Sequence, residues 1–315
     1  MNKFNFSIHP QTLRINTIHS FDVFIETAEN DMQYFHKAGE VFTPKDQANI
    51  FKHNISNLFV KNQDRGRYFK YLTANFPAIV DDPLTNINSK AEIIHSLITF
   101  MSMLMFETPT SELLMQYKSI IAKTAEFIMN EDEAIKHLIR VTSSSYTLSN
   151  HVVNVGVFGM GLAKDILGKN TNHNMAEIAA GLFFHDIGQY TIPKYINQRK
   201  GPLSTEEWEI MKKHPEEGYK LLKKFGVMTD EIKVIVIQHH ERHNGSGYPF
   251  GLMGDEIHTY SKICAISDTF DALTSNRPYR NARSSYNALA VMQHEMKGEF
   301  DPQFFARFVR LFSKP

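Results

Sequence analysis

A chain of 315 residues, 42% hydrophobic and 22% charged, is long enough for two globular domains with substantial cores. Its 34 basic residues balance its 34 acidic ones, so no overall field draws it to a nucleic-acid polymer or an anionic membrane. The single Cys264 excludes an intramolecular disulfide, and no apolar signal core follows Met1. The longest greasy stretch, Leu97 to Phe106, is about half a bilayer span, and together these features point to the cytoplasm.

Residues 1–82 read as a small α/β domain. Phe21 to Glu26 has the alternation of a half-buried strand, and Asn30-Asp31 turns the chain toward a second strand around Met32 to Phe35. Thr43 caps a helix with Pro44 at its first position. Asn57 to Val60 is a further strand and Asp64 to Leu72 a short helix. Phe51, Phe59 and Phe69 are expected in the core. No catalytic or binding motif falls in this stretch.

The polar, turn-rich Asp81-Asp82-Pro83-Leu84-Thr85-Asn86 marks a boundary. Residues 83–135 follow as a helical linker or dimerisation region, with helices over Ala91 to Glu107 and Leu113 to Met129. Their methionines suit adaptable packing or a homodimer seam through residues 88–130.

The chemistry lies in residues 136–315. Seven of the 15 histidines fall between His151 and His243, several beside aspartates. His151 to Leu167 is apolar on one helical face, at Val152, Val155, Leu162 and Ile166. Asn174 to Ile187 is a helix ending at Gly188, and Ser204-Thr205-Glu206-Glu207 is a capping box for the helix that carries His214. Asp230 to His240 and Tyr260 to Thr274 are helices, and a last one follows Asp301-Pro302. His151, His185, Asp186, His214, His239, His240 and Asp268 thus come from five helices. They can converge only in a bundle interior, where unpaired polar groups are costly and a divalent cation removes that cost. Seven ligands exceed what one catalytic ion takes and suit two ions, with Asp186 as the bridge. His239 and His240, about 100° apart on a helix, reach different metals or different sides of one. Mixed imidazole and carboxylate ligation favours iron or manganese over magnesium.

Phe184-His185-Asp186-Ile187-Gly188, Lys213-His214-Pro215-Glu216-Glu217-Gly218, His239-His240-Glu241-Arg242 and Asn244-Gly245-Ser246-Gly247-Tyr248-Pro249 occur in order. Ala265-Ile266-Ser267-Asp268, Phe270-Asp271-Ala272-Leu273-Thr274-Ser275-Asn276-Arg277-Pro278-Tyr279-Arg280 and Gly298-Glu299-Phe300-Asp301-Pro302 continue the series. Across residues 140–312 this series resembles the HD-GYP family. The resemblance implies a mainly α protein, its all-helical HD-GYP domain preceded by the small α/β domain, with a two- or three-metal site. It implies hydrolysis of cyclic di-GMP to pGpG or GMP, or of the related cyclic GMP-AMP, and the same seven metal ligands. Tyr248, Arg277 and Arg280 fall on positions that contact the ligand's phosphates, and Arg277 and Arg280, a turn apart, can clamp one phosphate.

Three departures stand out. Gln189 replaces the family's lysine near the scissile phosphate; it can donate a hydrogen bond but carries no charge and cannot be a general acid. With Asp186 it forms the expected catalytic pair. Asn244 replaces an aspartate, and Thr147 stands where three-metal members carry glutamate, which predicts two metals. Two alternatives stay open: a degenerate receptor that binds metal and cyclic di-GMP with little hydrolysis, and an interaction module whose Gly-Tyr-Pro loop docks a diguanylate cyclase domain.

Overall fold

A computed structural model describes residues 5–27, 31–168, 172–197, 199, 201–277 and 280–312. The chain divides into two compact units, Met1–Leu97 and Ile98–Pro315.

In the first unit, β1 (Asn5–Ile8), β2 (Val23–Glu26), β3 (Met32–His36) and β4 (Leu58–Lys61) form an antiparallel sheet in the order β1-β4-β2-β3. Three of these strands are those expected; β1, which no sequence signal announced, pairs with β4 from Asn5↔Lys61 to Ile8↔Leu58. The helix α1 (Pro44–Lys52) opens with the Thr43–Asp46 capping box. Phe69 is buried, but Phe51 is 62% exposed and Phe59 only half-buried, against expectation. On α1 the inward residue is Ile50, and strand alternation sends Leu58 and Val60 inward and Phe59 to the other side. The helix α2 (Arg65–Asp81) runs well past Leu72, because Phe76, Ile79 and Val80 continue the buried face. Burial of that face offsets Pro77, which inside a helix costs about 3 kcal/mol.

From α3 (Ile87–Glu107) onward the chain is helical. α4 (Ser111–Asn130) buries Leu114, Tyr117, Ile121 and Ile128 within its own chain and packs against α7 (Met175–Phe184). Between them lie α5 (Ala134–Val141), which the sequence pattern did not announce, and α6 (Leu148–Leu167). After α7 come a 3-10 segment, Ile187–Thr191, then α8 (Lys194–Asn197), α9 (Thr205–Met211), α10 (His214–Lys224) and α11 (Asp230–Gln238). α12 (Thr259–Thr274), α13 (Ser285–His294) and α14 (Pro302–Leu311) complete the unit.

α6 is not the one-faced helix its periodicity suggested. Every residue from His151 to Ala163 is buried, as expected of a helix packed on all sides by α5, α7, α12 and α14. Among the described residues no helix is long and apolar enough to cross a membrane.

Candidate metal centre

The ligand candidates sit mostly at helix ends. His151 lies in the first turn of α6, which Thr147 caps by accepting the Asn150 N–H. α7 stops at Phe184, short of Ile187, so His185 and Asp186 follow it immediately. The Ser204 capping box opens α9, which ends at Met211; His214 therefore starts the next helix, α10, rather than riding on the capped one. His239 and His240 follow the end of α11, and Asp268 projects from within α12. Gly188 lets the 3-10 segment lie against α10: a Cβ there would be 1.9 Å from the His214 carbonyl oxygen.

One local device recurs three times. The Nδ1 of His185 donates to the Leu182 carbonyl, that of His214 to Met211, and that of His239 to Val236, at 2.8, 2.8 and 2.9 Å. A carbonyl can only accept, so in each ring Nδ1 carries the proton and Nε2 presents a lone pair. The same bonds satisfy carbonyls left over at the ends of α7, α9 and α11. His151 is oriented differently, its Nδ1 bonded at 2.7 Å to the buried Asp271 carboxylate, whose other oxygen accepts from Asn154 and Ser275.

These lone pairs converge. Asp186, His214, His239 and His240 form one group and His151, His185 and Asp268 another; within each group the ligand atoms all lie within 4.8 Å of one another. Asp186 faces both. Its Oδ1 is 3.1 Å from His214 Nε2 and 3.7 Å from His239 Nε2. Its Oδ2 is 3.3 Å from His151 Nε2 and 3.5 Å from His185 Nε2. Asp268 reaches His151 Nε2 at 3.3 Å with one oxygen and His240 Nδ1 at 3.6 Å with the other. His239 and His240 lie in the same group, so adjacency does not divide them between two.

The donor set fits divalent ions. His185 Nε2 and Asp186 Oδ1 are buried without a hydrogen-bond partner, and neutral imidazoles with carboxylates are the donors such ions take. Burial and the neighbouring imidazoles hold His239 at about 4, a neutral ligand at ordinary pH. Burial works to raise the Asp186 carboxyl, but the imidazoles around it, His185 first, hold it well below the usual range. Burial also opposes charge on His151, yet Asp186, Asp268 and Asp271 outweigh it and raise that ring well above its ordinary value.

Five of the seven residues, His151, Asp186, His214, His240 and Asp268, line a cavity of about 780 Å³; His185 and His239 lie fully buried behind them. Gln189 lines it too, but its amide donates to Asp186 Oδ2 at 2.7 Å. Tyr248 stacks on His240 at 4.6 Å, and its peptide bond to Pro249 is cis. The loop is held by Glu241, whose buried carboxylate accepts from the N–H groups of Phe250 and Leu252 at 2.8 and 2.9 Å. Only glycine fits at position 247, where a Cβ would be 2.5 Å from the His240 carbonyl oxygen. Asn244 stands outside the cavity lining and accepts from Ser246 within its own turn.

Arg277 and Arg280 both line the cavity, but no helical turn separates them. α12 ends at Thr274, and the two are joined by reciprocal backbone hydrogen bonds. The Arg277 guanidinium lies 3.6 Å over the Tyr146 ring, while Arg280 donates to the Ala272 carbonyl.

A family profile described as HD domain matches residues 118–304. The chain belongs to the HD domain family, in its HD-GYP branch. The HD-GYP chain is 31% identical over 192 residues to a cyclic di-GMP phosphodiesterase of Pseudomonas aeruginosa, covering 61% of this chain and 45% of that protein. It is 34% identical over 194 residues to a cyclic di-GMP phosphodiesterase response regulator of Xanthomonas campestris pv. campestris, covering 58% and 49%. It is 37% identical over 172 residues to a 3′3′-cGAMP-specific phosphodiesterase of Vibrio cholerae, covering 54% and 39%. The matches thus span less than half the length of each relative. In fold it is similar to an HDG"Y"P protein from Bdellovibrio bacteriovorus, with a TM-score of 0.68 at 22% identity, over 98% of this chain and all of that one.

The HD-GYP fold therefore brings all seven expected ligand residues together, with Gln189, Tyr248, Arg277 and Arg280 around one cavity. Sequence reasoning included Asp271 in the family series but gave it no role, although it follows Asp268 by three residues and so shares its helix face. It passed over Tyr146 and Trp208, both of which line the cavity. Their partners are distant in sequence, and no spacing rule announces them.

Proposed function

We propose that the chain is a two-metal phosphodiesterase that opens a cyclic dinucleotide, cyclic di-GMP or the related cyclic GMP-AMP, to a linear product such as pGpG or GMP. The observation that carries this reading is Asp186, whose two oxygens face two separate groups of ligand atoms on the floor of a large cavity. The names of the relatives supply the substrate class.

His151, His185, His214, His239, His240, Asp186 and Asp268 would hold two ions, iron or manganese by the mixed donor set. Such ions supply Lewis-acid charge to a phosphoryl group and make water more acidic. The chain's own residues do the rest. Asp186 and Asp268 keep the ion sites anionic, and the three carbonyl-anchored imidazoles offer Nε2 with no reorganisation. Arg277 and Arg280 line the cavity where the non-bridging phosphate oxygens would lie, Arg277 held flat by Tyr146. The Gln189 amide steadies Asp186 and has no acidic proton to give, so the leaving oxygen takes its proton from water or another side chain. The proposal includes a cytoplasmic location, a homodimer through residues 88–130, and a diguanylate cyclase domain as partner of the Gly-Tyr-Pro loop.

The Gln189–Asp186 bond also favours a second reading, a receptor that binds the dinucleotide and barely turns it over. Metal analysis of purified protein followed by incubation with labelled cyclic di-GMP separates the two. Metal with linear product supports the enzyme; metal with retained, intact ligand supports the receptor. Protein with neither metal nor bound ligand overturns both.

A further inference from the structure

A cyclic dinucleotide presents two flat, heteroaromatic bases as well as its phosphates, and a base is gripped best by an exposed aromatic face beside apolar surface. The cavity offers such a face in Trp208. This residue lines the cavity with Ile196, Leu203 and Met211 as apolar companions. It is nevertheless 45% exposed, and α9, which carries it, has no buried residue at all.

Core packing therefore does not account for the indole. α9 is held by other means: the Ser204–Glu207 capping box at its start and an ion pair from Arg199 to Glu207. Tyr248 meets the indole nearly at right angles, with ring centres 5.9 Å apart and planes 78° apart, so it can cover at most one indole face. Tyr248 in turn stacks on His240, a member of the ligand group, which ties the indole to the chemical centre through two ring contacts.

We infer that Trp208 is a stacking platform for one purine base of the bound dinucleotide, an inference that rests on the proposed substrate class. The base lies on the free indole face against Leu203 and Met211, while the phosphates lie over the His and Asp cluster. Trp208 sets affinity and takes no part in bond breaking.

Trp208 is the chain's single tryptophan, so tryptophan emission reports this position alone. The test titrates the full chain with cyclic di-GMP and, in parallel, with inorganic phosphate while following that emission. Binding of labelled cyclic di-GMP, and KM and kcat where product forms, are then compared in wild type, Trp208→Phe and Trp208→Ala. Saturable quenching by cyclic di-GMP but not by phosphate is expected. Trp208→Ala should weaken binding about 10-fold or more, with kcat within about twofold and Trp208→Phe intermediate. Unmoved emission at saturating cyclic di-GMP, or wild-type affinity in Trp208→Ala, overturns the platform while leaving the proposed function standing. Wild-type protein that neither binds nor hydrolyses cyclic di-GMP or cyclic GMP-AMP overturns the substrate class itself, and the platform with it.

Discussion

His214 and His239 aim their Nε2 atoms at one another across 3.1 Å, while each ring keeps its Nδ1 proton on a backbone carbonyl. Two converging lone pairs repel unless a cation accepts both, so a cation bound at this point would join the start of α10 to the end of α11. Metal removal should therefore loosen the fold as well as stop turnover. Chelation is expected to lower Tm by about 5–10 °C, and manganese should restore it. Scanning calorimetry of chelated and reloaded protein checks this; an unchanged Tm would sink the idea.

Asp271 orients His151 and belongs to neither group of ligand residues. Asp271→Asn preserves shape but offers an amide where the imidazole needs a carboxylate. A loss of about 10–100-fold in metal affinity should follow. Competition against a chelator of known affinity measures it, and wild-type affinity would show the bond to be incidental.

Gln189→Lys should raise kcat, by about 10-fold, because an ammonium can keep the contact to Asp186 while adding charge beside the phosphate. The comparison is steady-state hydrolysis of labelled cyclic di-GMP at matched metal content. No change or a loss refutes the role assigned to position 189.

Gly188→Ala drives a methyl group into the His214 carbonyl, a backbone atom that cannot step aside without moving α10. About 3 kcal/mol of stability should be lost, together with metal content. Urea unfolding of the purified variant provides the number; a stable variant with a full metal complement contradicts the packing described.

Burial lowers the His95 ring to about 4, and its Nε2 lacks a hydrogen-bond partner. Unfolded histidine titrates near 6.5, so the unfolded chain binds the proton first as pH falls. The contribution is complete above 6.5 and is lost as pH drops toward 4. For this half-buried ring it amounts to about 1 kcal/mol between pH 7 and 5. Melting curves of wild type and His95→Gln at both pH values isolate it, since the other histidines cancel. Equal pH slopes in the two proteins would count against it.

Much of the site is legible in the amino-acid sequence. His185-Asp186, His214 and His239-His240 stand out because imidazoles and carboxylates are rare inside apolar helices unless something binds them. Boundaries are less legible: the helix opened by Ser204 stops at Met211, and α7 stops at Phe184. In both cases a histidine just beyond the end bonds back to the last turn, a competition between side chain and helix that periodicity cannot register. Phe51 fails as a core residue because hydrophobicity alone does not say which side of a helix faces inward.

By itself the amino-acid order determined the residue types available for chemistry, the helical character of the second half and the family to which it belongs. Those are properties of local composition and spacing. Only the tertiary structure decided that the two oxygens of Asp186 face different ligand groups, that Gln189 bonds Asp186, and that Trp208 lines the same cavity. Each of these depends on where separate helices cross, and that is set by packing between segments far apart in the chain.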